Sequence, residues 1–293
     1  MNIAIIGGGS LGLLLSCYLQ QNHKVTLYVR REEQKNAIEA KGITLQIDQR
    51  EKKTSYVTAR MIEQLKSHDI TFVTVKQPQL RSILDTMKVQ TIDTSFIFVQ
   101  NGMGHIDVLQ TLEQPVYIGV VEHGAKRIDD VTVHHLGVGS ISLASFNQEA
   151  DALESIHRSL QMEDFPFKIK DDWRRLLEEK LLINAVINPL TAIFNVPNGH
   201  IVTEEPIQKL AKQLAKEAAY VLHFDEDQAW ERVKQVALNT AQNTSSMRAD
   251  LLQKRETEID AISGYLLRQV EVKHIPYTSF VYYAILALEE RGS

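Results

Sequence analysis

Lys180, Asn184 and Asn188 stand four residues apart in a stretch whose other members are mostly aliphatic. On a helix that spacing lays three side chains along one slowly drifting stripe. Leu181, Leu182, Ile183, Ala185, Val186 and Ile187 make the rest of the helix apolar, so the stripe is expected to be largely buried. Buried amides and ammonium groups need hydrogen-bond partners. A ligand's carbonyl and hydroxyl oxygens would supply them, and burial would lower the lysine pKa toward that of a useful general acid. Reduction of a ketone by hydride transfer asks for such a set: a proton donor at the carbonyl oxygen, a group that places the reacting carbon, and donors for an attached carboxylate. A polar stripe satisfied by neighbouring helices would read the same way. Further on, Glu258 shares a helical face with Ile262 and Tyr265, whereas Asp260 points elsewhere, so one of the two acids can reach such a site.

A second constellation lies at the start of the chain. Gly7-x-Gly9-x-x-Gly12 follows an apolar run at residues 2–6 and opens a helical pattern over 10–22, after which Lys24–Val29 alternates like a strand. In that βαβ context Gly7 permits a tight turn, Gly9 lets backbone approach a pyrophosphate, and Gly12 lets helix and strand pack closely. Gly7, Gly9, Ser10, Leu11 and Gly12 are therefore the expected cofactor-binding turn, with the helix N-terminus facing the anion. The second strand ends in Arg30-Arg31, where an NAD-binding protein usually carries an acid. Arginine suits the 2′-phosphate of NADP, so NADPH is the expected cofactor. A solvated helix start in which Glu32 and Glu33 pair with the arginines is the alternative. Lys76 and Asn101 follow the fourth and fifth strands, the end of a parallel sheet where ligands bind, and suit ribose, phosphate or substrate. His123, His134 and His135 have no metal or catalytic spacing and read as structural.

The elements that must hold these residues fall into two groups. Strand patterns at Asp69–Val75, Ser95–Val99 and Val116–Val121 alternate with helical stretches near 78–88 and after Gly104. They imply an α/β, Rossmann-type doubly wound parallel sheet. Residues 131–143 look hairpin-like, which suggests antiparallel strands at one edge. From Asp171 onward the periodicity is helical, over Trp173–Ile187, Ile207–Phe224, Asp225–Thr240 and Glu256–Val272, with Pro189 expected to end or kink the first of these. The expected division is a dinucleotide-binding domain at 1–167 and a second, all-helical substrate-binding domain at 168–293.

Two domains also suit the length, since 293 residues is about twice the roughly 150-residue prior for one. With 44% hydrophobic and 24% charged residues the chain is ordinary for a globular protein. A net charge of −5 with interspersed signs offers no basic field for nucleic acid. The single cysteine, Cys17, lies among leucines and reads as inert packing, which fits a reducing, cytoplasmic setting; no run suggests a membrane span or signal peptide.

The chain resembles the ketopantoate reductase (2-dehydropantoate 2-reductase) family along nearly its full length. The likeness is carried in order by Gly7-x-Gly9-x-x-Gly12, Lys76, Gln100-Asn101-Gly102-Met103-Gly104, Lys180-x-x-x-Asn184-x-x-x-Asn188-Pro189-Leu190-Thr191-Ala192, Asn198-Gly199, Ser245-Ser246-Met247 and Thr257-Glu258-Ile259-Asp260. The resemblance implies NADPH-dependent reduction of ketopantoate to pantoate in the pathway to pantothenate and coenzyme A. It also implies Lys180 as proton donor to the keto oxygen and Asn184 and Asn188 as substrate holders. By the same resemblance Glu258 accepts from the substrate hydroxyl or orients Lys180. Ser246 is expected at the substrate carboxylate, with Ser245 as helix cap or loop donor, and Asn198 and Asn243 as further amide contacts, although Asn198-Gly199 could equally be a turn. Ketopantoate would then sit in the cleft between the domains of a monomer or homodimer. Two alternatives remain: a reductase of another small 2-keto acid, and an NADP-sensing protein without chemistry, against which the Lys180, Asn184, Asn188 and Glu258 set argues.

Overall fold

A computed structural model of the chain describes residues 1–47, 51–90 and 92–292. It divides into two compact units: Met1–Gln100 with Asp107–Leu176, and Asn101–Ile106 with Leu177–Ser293.

The first unit runs β1 (Asn2–Ile6), α1 (Ser10–Leu19), β2 (Lys24–Val29), α2 (Glu32–Lys41), β3 (Ile43–Ile47), β4 (Glu51–Ser55), β5 (Thr58–Met61), β6 (Ile70–Val73), α3 (Gln77–Gln90) and β7 (Ser95–Phe98). After the short α4 (Ile106–Leu109) come β8 (Val116–Val121), β9 (Gly124–Arg127), β10 (Thr132–Gly137), β11 (Ile141–Ser145), α5 (Ala150–Leu160) and β12 (Phe167–Lys170). The main sheet has the order β5-β2-β1-β6-β7-β8-β11-β12. Its first six strands are parallel, β11 is antiparallel to β8, and β12 is parallel to β11. The strands are short runs of Ile, Val, Leu and Phe because both faces of such a sheet are covered. Ile3, Ile5, Leu27, Phe72 and Ile97 are fully buried together with Leu13 and Leu14 of α1. Burial of one such side chain contributes about 1.5–3 kcal/mol. The direction of strand addition reverses between β1 and β6, which makes that edge-to-edge seam the switch point of the doubly wound sheet.

The hairpin-like stretch at 131–143 is divided between two sheets. β11 supplies the antiparallel pairing that the pattern predicts, but one strand in from the edge, which is β12; β10 belongs to a separate sheet of order β4-β3-β10-β9, antiparallel to β9 and parallel to β3. This second sheet packs on α1, where buried Val133 and His135 of β10 meet the face that carries Tyr18. Alternation reveals a strand but not its partner.

The second unit is helical among its described residues: α6 (Trp173–Phe194, whose first turn counts with the first unit), α7 (His200–Thr203), α8 (Glu205–Leu222), α9 (Glu226–Asn239), α10 (Ser246–Leu252), a π-helical turn at Asp260–Gly264, α11 (Tyr265–Gln269) and α12 (Pro276–Gly292). Two expectations are corrected here. Of the two outcomes expected at Pro189, an end or a kink, the end does not occur, since α6 runs on to Phe194. Burial of Leu190 and Ala192 holds the last turn, and the Thr191 hydroxyl donates to the Ile187 carbonyl at 2.7 Å and to Ser245 Oγ at 2.7 Å, so tertiary packing outweighs the missing N–H. The single helix expected over Glu256–Val272 is instead an extended entry, the π-helical turn and the five-residue α11. A π turn inserts one residue into the ladder, often at a functional site, and has no signature in helical periodicity.

Candidate active site

The glycine turn meets three separate demands. Gly7 has φ +114°, a left-handed value that suits glycine, and its N–H donates to Tyr28 O at 2.9 Å. A Cβ on Gly12 would lie 1.8 Å from Gly7 O, so the helix packs on the turn only without a side chain there. A Cβ on Gly9 would meet nothing within 4 Å. Gly9 is also the N-cap of α1 with no side-chain cap, leaving the first N–H groups of Ser10 and Leu11 for a ligand. The Thr74 hydroxyl braces the turn from the next strand, donating to Ile6 O at 2.9 Å and Gly7 O at 3.1 Å. These features fit the pyrophosphate of a dinucleotide: an open approach at Gly9 over an uncapped helix start.

Arg30 and Arg31 are exposed beside this turn. Arg31 pairs with Asp130 in the loop between β9 and β10, and no ion pair to Glu32 or Glu33 occurs among the described residues. Gln34, buried on α2, donates to Gly8 O at 2.8 Å and to Asp130 O at 3.0 Å. Arg127, the last residue of β9, approaches Gly8 O at 3.4 Å and Asp130 Oδ1 at 3.8 Å. Sequence reasoning missed Gln34, Thr74, Arg127 and Asp130, because each reaches the turn through long-range packing that no local pattern encodes. Lys76 is half-buried after β6. Gln100 orders that strand end, donating to Val73 O at 2.8 Å and Val75 O at 3.0 Å.

In the second unit Lys180 is half-buried on α6, and Asn184 and Asn188 are buried on the same stripe. Neither asparagine side chain has a hydrogen-bond partner among the described residues, and neither amide is sealed from solvent. Asn101 Nδ2 donates to Glu258 Oε2 at 2.9 Å. The pair is placed by close backbone contact: Gly102 has φ +75°, and a Cβ there would lie 2.3 Å from Ala261 O of the π turn. Asp260 is engaged elsewhere, accepting from Arg268 Nη1 at 3.0 Å and from the Tyr282 hydroxyl at 3.2 Å.

Ser245 caps α10, accepting from Arg248 N at 3.2 Å as well as from Thr191, whereas Ser246 is exposed on the first turn. Asn198 is tied into its turn by N–H to Asn243 O at 3.1 Å and Nδ2 to Thr240 Oγ1 at 2.9 Å, while its buried Oδ1 has no partner. The Asn243 side chain is exposed. Away from these groups, burial pushes the Cys17 thiol up to about 12, as expected of an inert packing residue. His135 links the Tyr18 hydroxyl at 2.8 Å to His123 Nδ1 at 3.2 Å, and Phe165 stacks on His123.

A doubly wound sheet with a glycine turn at its switch point defines the class of dinucleotide-binding proteins. The profile of ketopantoate reductase PanE/ApbA matches residues 3–148, and that of its C-terminal part matches 172–289. The 2-dehydropantoate 2-reductase of Bacillus subtilis (strain 168) is 40% identical over 99% of this chain and 98% of its own. That of Listeria monocytogenes is 34% identical over 99% and 97%. A crystal structure of the probable B. subtilis enzyme superposes with TM-score 0.88 over 98% of this chain and 100% of that one. D-mandelate dehydrogenase with NADH and anilino(oxo)acetate, 22% identical, superposes at 0.91 over 100% and 99%, a likeness of fold. The chain belongs to the ketopantoate reductase family and is an oxidoreductase. No helix among the described residues is long and apolar enough to cross a membrane.

Proposed function

We propose that the protein reduces 2-dehydropantoate to pantoate with NADPH, on the route to pantothenate and coenzyme A. The observation that carries the reading is the α6 stripe: two buried asparagines keep their amides unspent, on the same helix as a half-buried lysine. Both amides still reach solvent and are committed to no protein group among the described residues, so their donors and acceptors are available to the oxygens of a ligand.

NADPH, when bound, supplies the hydride for the keto carbon. Ser10 and Leu11 would hold its pyrophosphate by their backbone N–H groups on the turn that Gly7, Gly9 and Gly12 shape, Arg30 and Arg31 its 2′-phosphate, and Lys76 and Asn101 its ribose or the substrate beside it. Lys180 donates the proton to the keto oxygen as negative charge develops there. Asn184 and Asn188 fix the substrate oxygens, and Glu258, oriented by Asn101, accepts from the hydroxyl or steadies the lysine. Ser246, left free while Ser245 caps α10, donates to the carboxylate, with Asn198 Oδ1 and the Asn243 side chain as the remaining polar contacts. The relatives named 2-dehydropantoate 2-reductase, 40% and 34% identical over 98% and 97% of their length, support this substrate.

The test is the loss of NADPH absorbance on addition of 2-dehydropantoate, run beside pyruvate, 2-oxoisovalerate and phenylglyoxylate. Preferred turnover of 2-dehydropantoate is expected. Preference for another of these acids would keep the reductase and replace the substrate. NADPH binding without turnover of any would leave a cofactor-sensing protein.

A further inference from the structure

We propose that Arg127 is a further cation for the 2′-phosphate of NADPH beside Arg30 and Arg31, sharing a counter-anion with Arg31 next to the glycine turn. Asp130 serves as the counter-anion that holds both guanidinium groups in place until the phosphate arrives. The inference rests on the reading of this turn as a dinucleotide site.

Two side chains, Gln34 of α2 and Arg127 of β9, converge on Gly8 O. Arg127 is fixed by strand pairing, opposite Val133 of β10, and the hairpin closes directly after it with Ile128 N donating to Thr132 O at 2.9 Å. The loop that follows is stiffened by Val131 N donating to Asp129 Oδ1 at 2.8 Å, so Asp130 is presented to Arg31 by backbone geometry. Gln34 then ties Asp130 O and Gly8 O together through one amide. The hairpin of the second sheet is thereby fastened to the turn.

Two guanidinium groups share one carboxylate, which leaves the cluster with an excess positive charge next to Arg30. All three side chains of the cluster are partly open to solvent, Arg31 at 51%, Arg127 at 38% and Asp130 at 34%. A carboxylate offers two oxygens for the two forks, whereas a phosphate dianion offers three and nearly twice the charge, so it is the better partner for both arginines. As a surface ion pair alone the cluster would contribute little stability.

The experiment uses the full chain and compares NADPH with NADH, which lacks the 2′-phosphate, by fluorescence titration of the parent, Arg127→Gln and Arg127→Lys. Arg127→Gln is expected to weaken NADPH roughly tenfold or more, as for loss of a charge-assisted hydrogen bond, with NADH changed by less than about twofold. Arg127→Lys, which keeps the charge without the fork, is expected to fall between parent and Arg127→Gln. Unchanged NADPH affinity, or equal losses for both nucleotides in both variants, would overturn the inference while a parent preference for NADPH left the cofactor reading standing. A parent that binds neither nucleotide would end that reading and the inference with it.

Discussion

Asn101 donates its side-chain N–H to Glu258 Oε2 across 2.9 Å, joining residues 157 positions apart in the chain. The asparagine sits on a loop pinned by Gly102 to the π turn, and the acid stands just ahead of that turn. This bond helps to orient the Glu258 carboxylate. Asn101→Ala is expected to lower kcat roughly 10- to 100-fold, the worth of a hydrogen bond to a charged group. Rescue by Asn101→Gln, a longer amide, should be poor. Steady-state kinetics with both variants checks this, and near-parental kcat for Asn101→Ala would remove the positioning role.

The glycine turn separates binding from folding. Gly9→Ala has φ −80° and open space, so the fold should change by less than about 0.5 kcal/mol while NADPH affinity drops because the methyl stands where the pyrophosphate approaches. Gly12→Ala forces a methyl onto Gly7 O and should lose about 1–3 kcal/mol of stability or more. Thermal unfolding and NADPH titration on both variants read the contrast; equal behaviour of the two would contradict it.

A buried carboxylate anchors the last helix. Glu217 of α8 accepts from Tyr277 N at 2.9 Å, Thr278 N at 2.7 Å and Thr278 Oγ1 at 2.7 Å, at the N-terminus of α12. Glu217→Ala strands those donors and should destabilise by about 2–4 kcal/mol, with Glu217→Gln losing less. Denaturant unfolding tests the order of the three proteins.

Stability should also depend on two buried histidines. Burial holds His105 and His123 down at about 4, against an ordinary 6.5. Between those values the unfolded chain binds protons that the folded chain refuses, so stability falls as pH drops from about 6.5 toward 4 and this contribution levels off below. Replacing His123 by Gln should flatten that slope relative to the parent. An unchanged slope in pH-dependent unfolding would contradict the assignment.

The doubly wound sheet was legible because its strands are apolar runs punctuated by glycine and because the glycine turn sits where a βαβ unit requires it. The α6 stripe was legible through its spacing of four. What periodicity could not reach was partner choice and local insertion: β10 joins a second sheet, α6 continues through Pro189, and a π turn interrupts the helix after Glu258. Arg127 and Asp130 were invisible for the same reason, since a hairpin about a hundred residues away in sequence brings them to Gly8 and Arg31. Ser245 and Ser246 are neighbours in sequence, and only the cap geometry separates the structural hydroxyl from the exposed one.

The most direct test of the whole account is turnover by Lys180→Ala, measured with thermal unfolding and NADPH titration on the same preparation. A general acid contributes roughly 100- to 10,000-fold, about 3–5 kcal/mol of barrier, so kcat should fall by that range with NADPH affinity nearly unchanged. A folded, NADPH-binding Lys180→Ala protein that still reduces 2-dehydropantoate at close to the parental rate would contradict it.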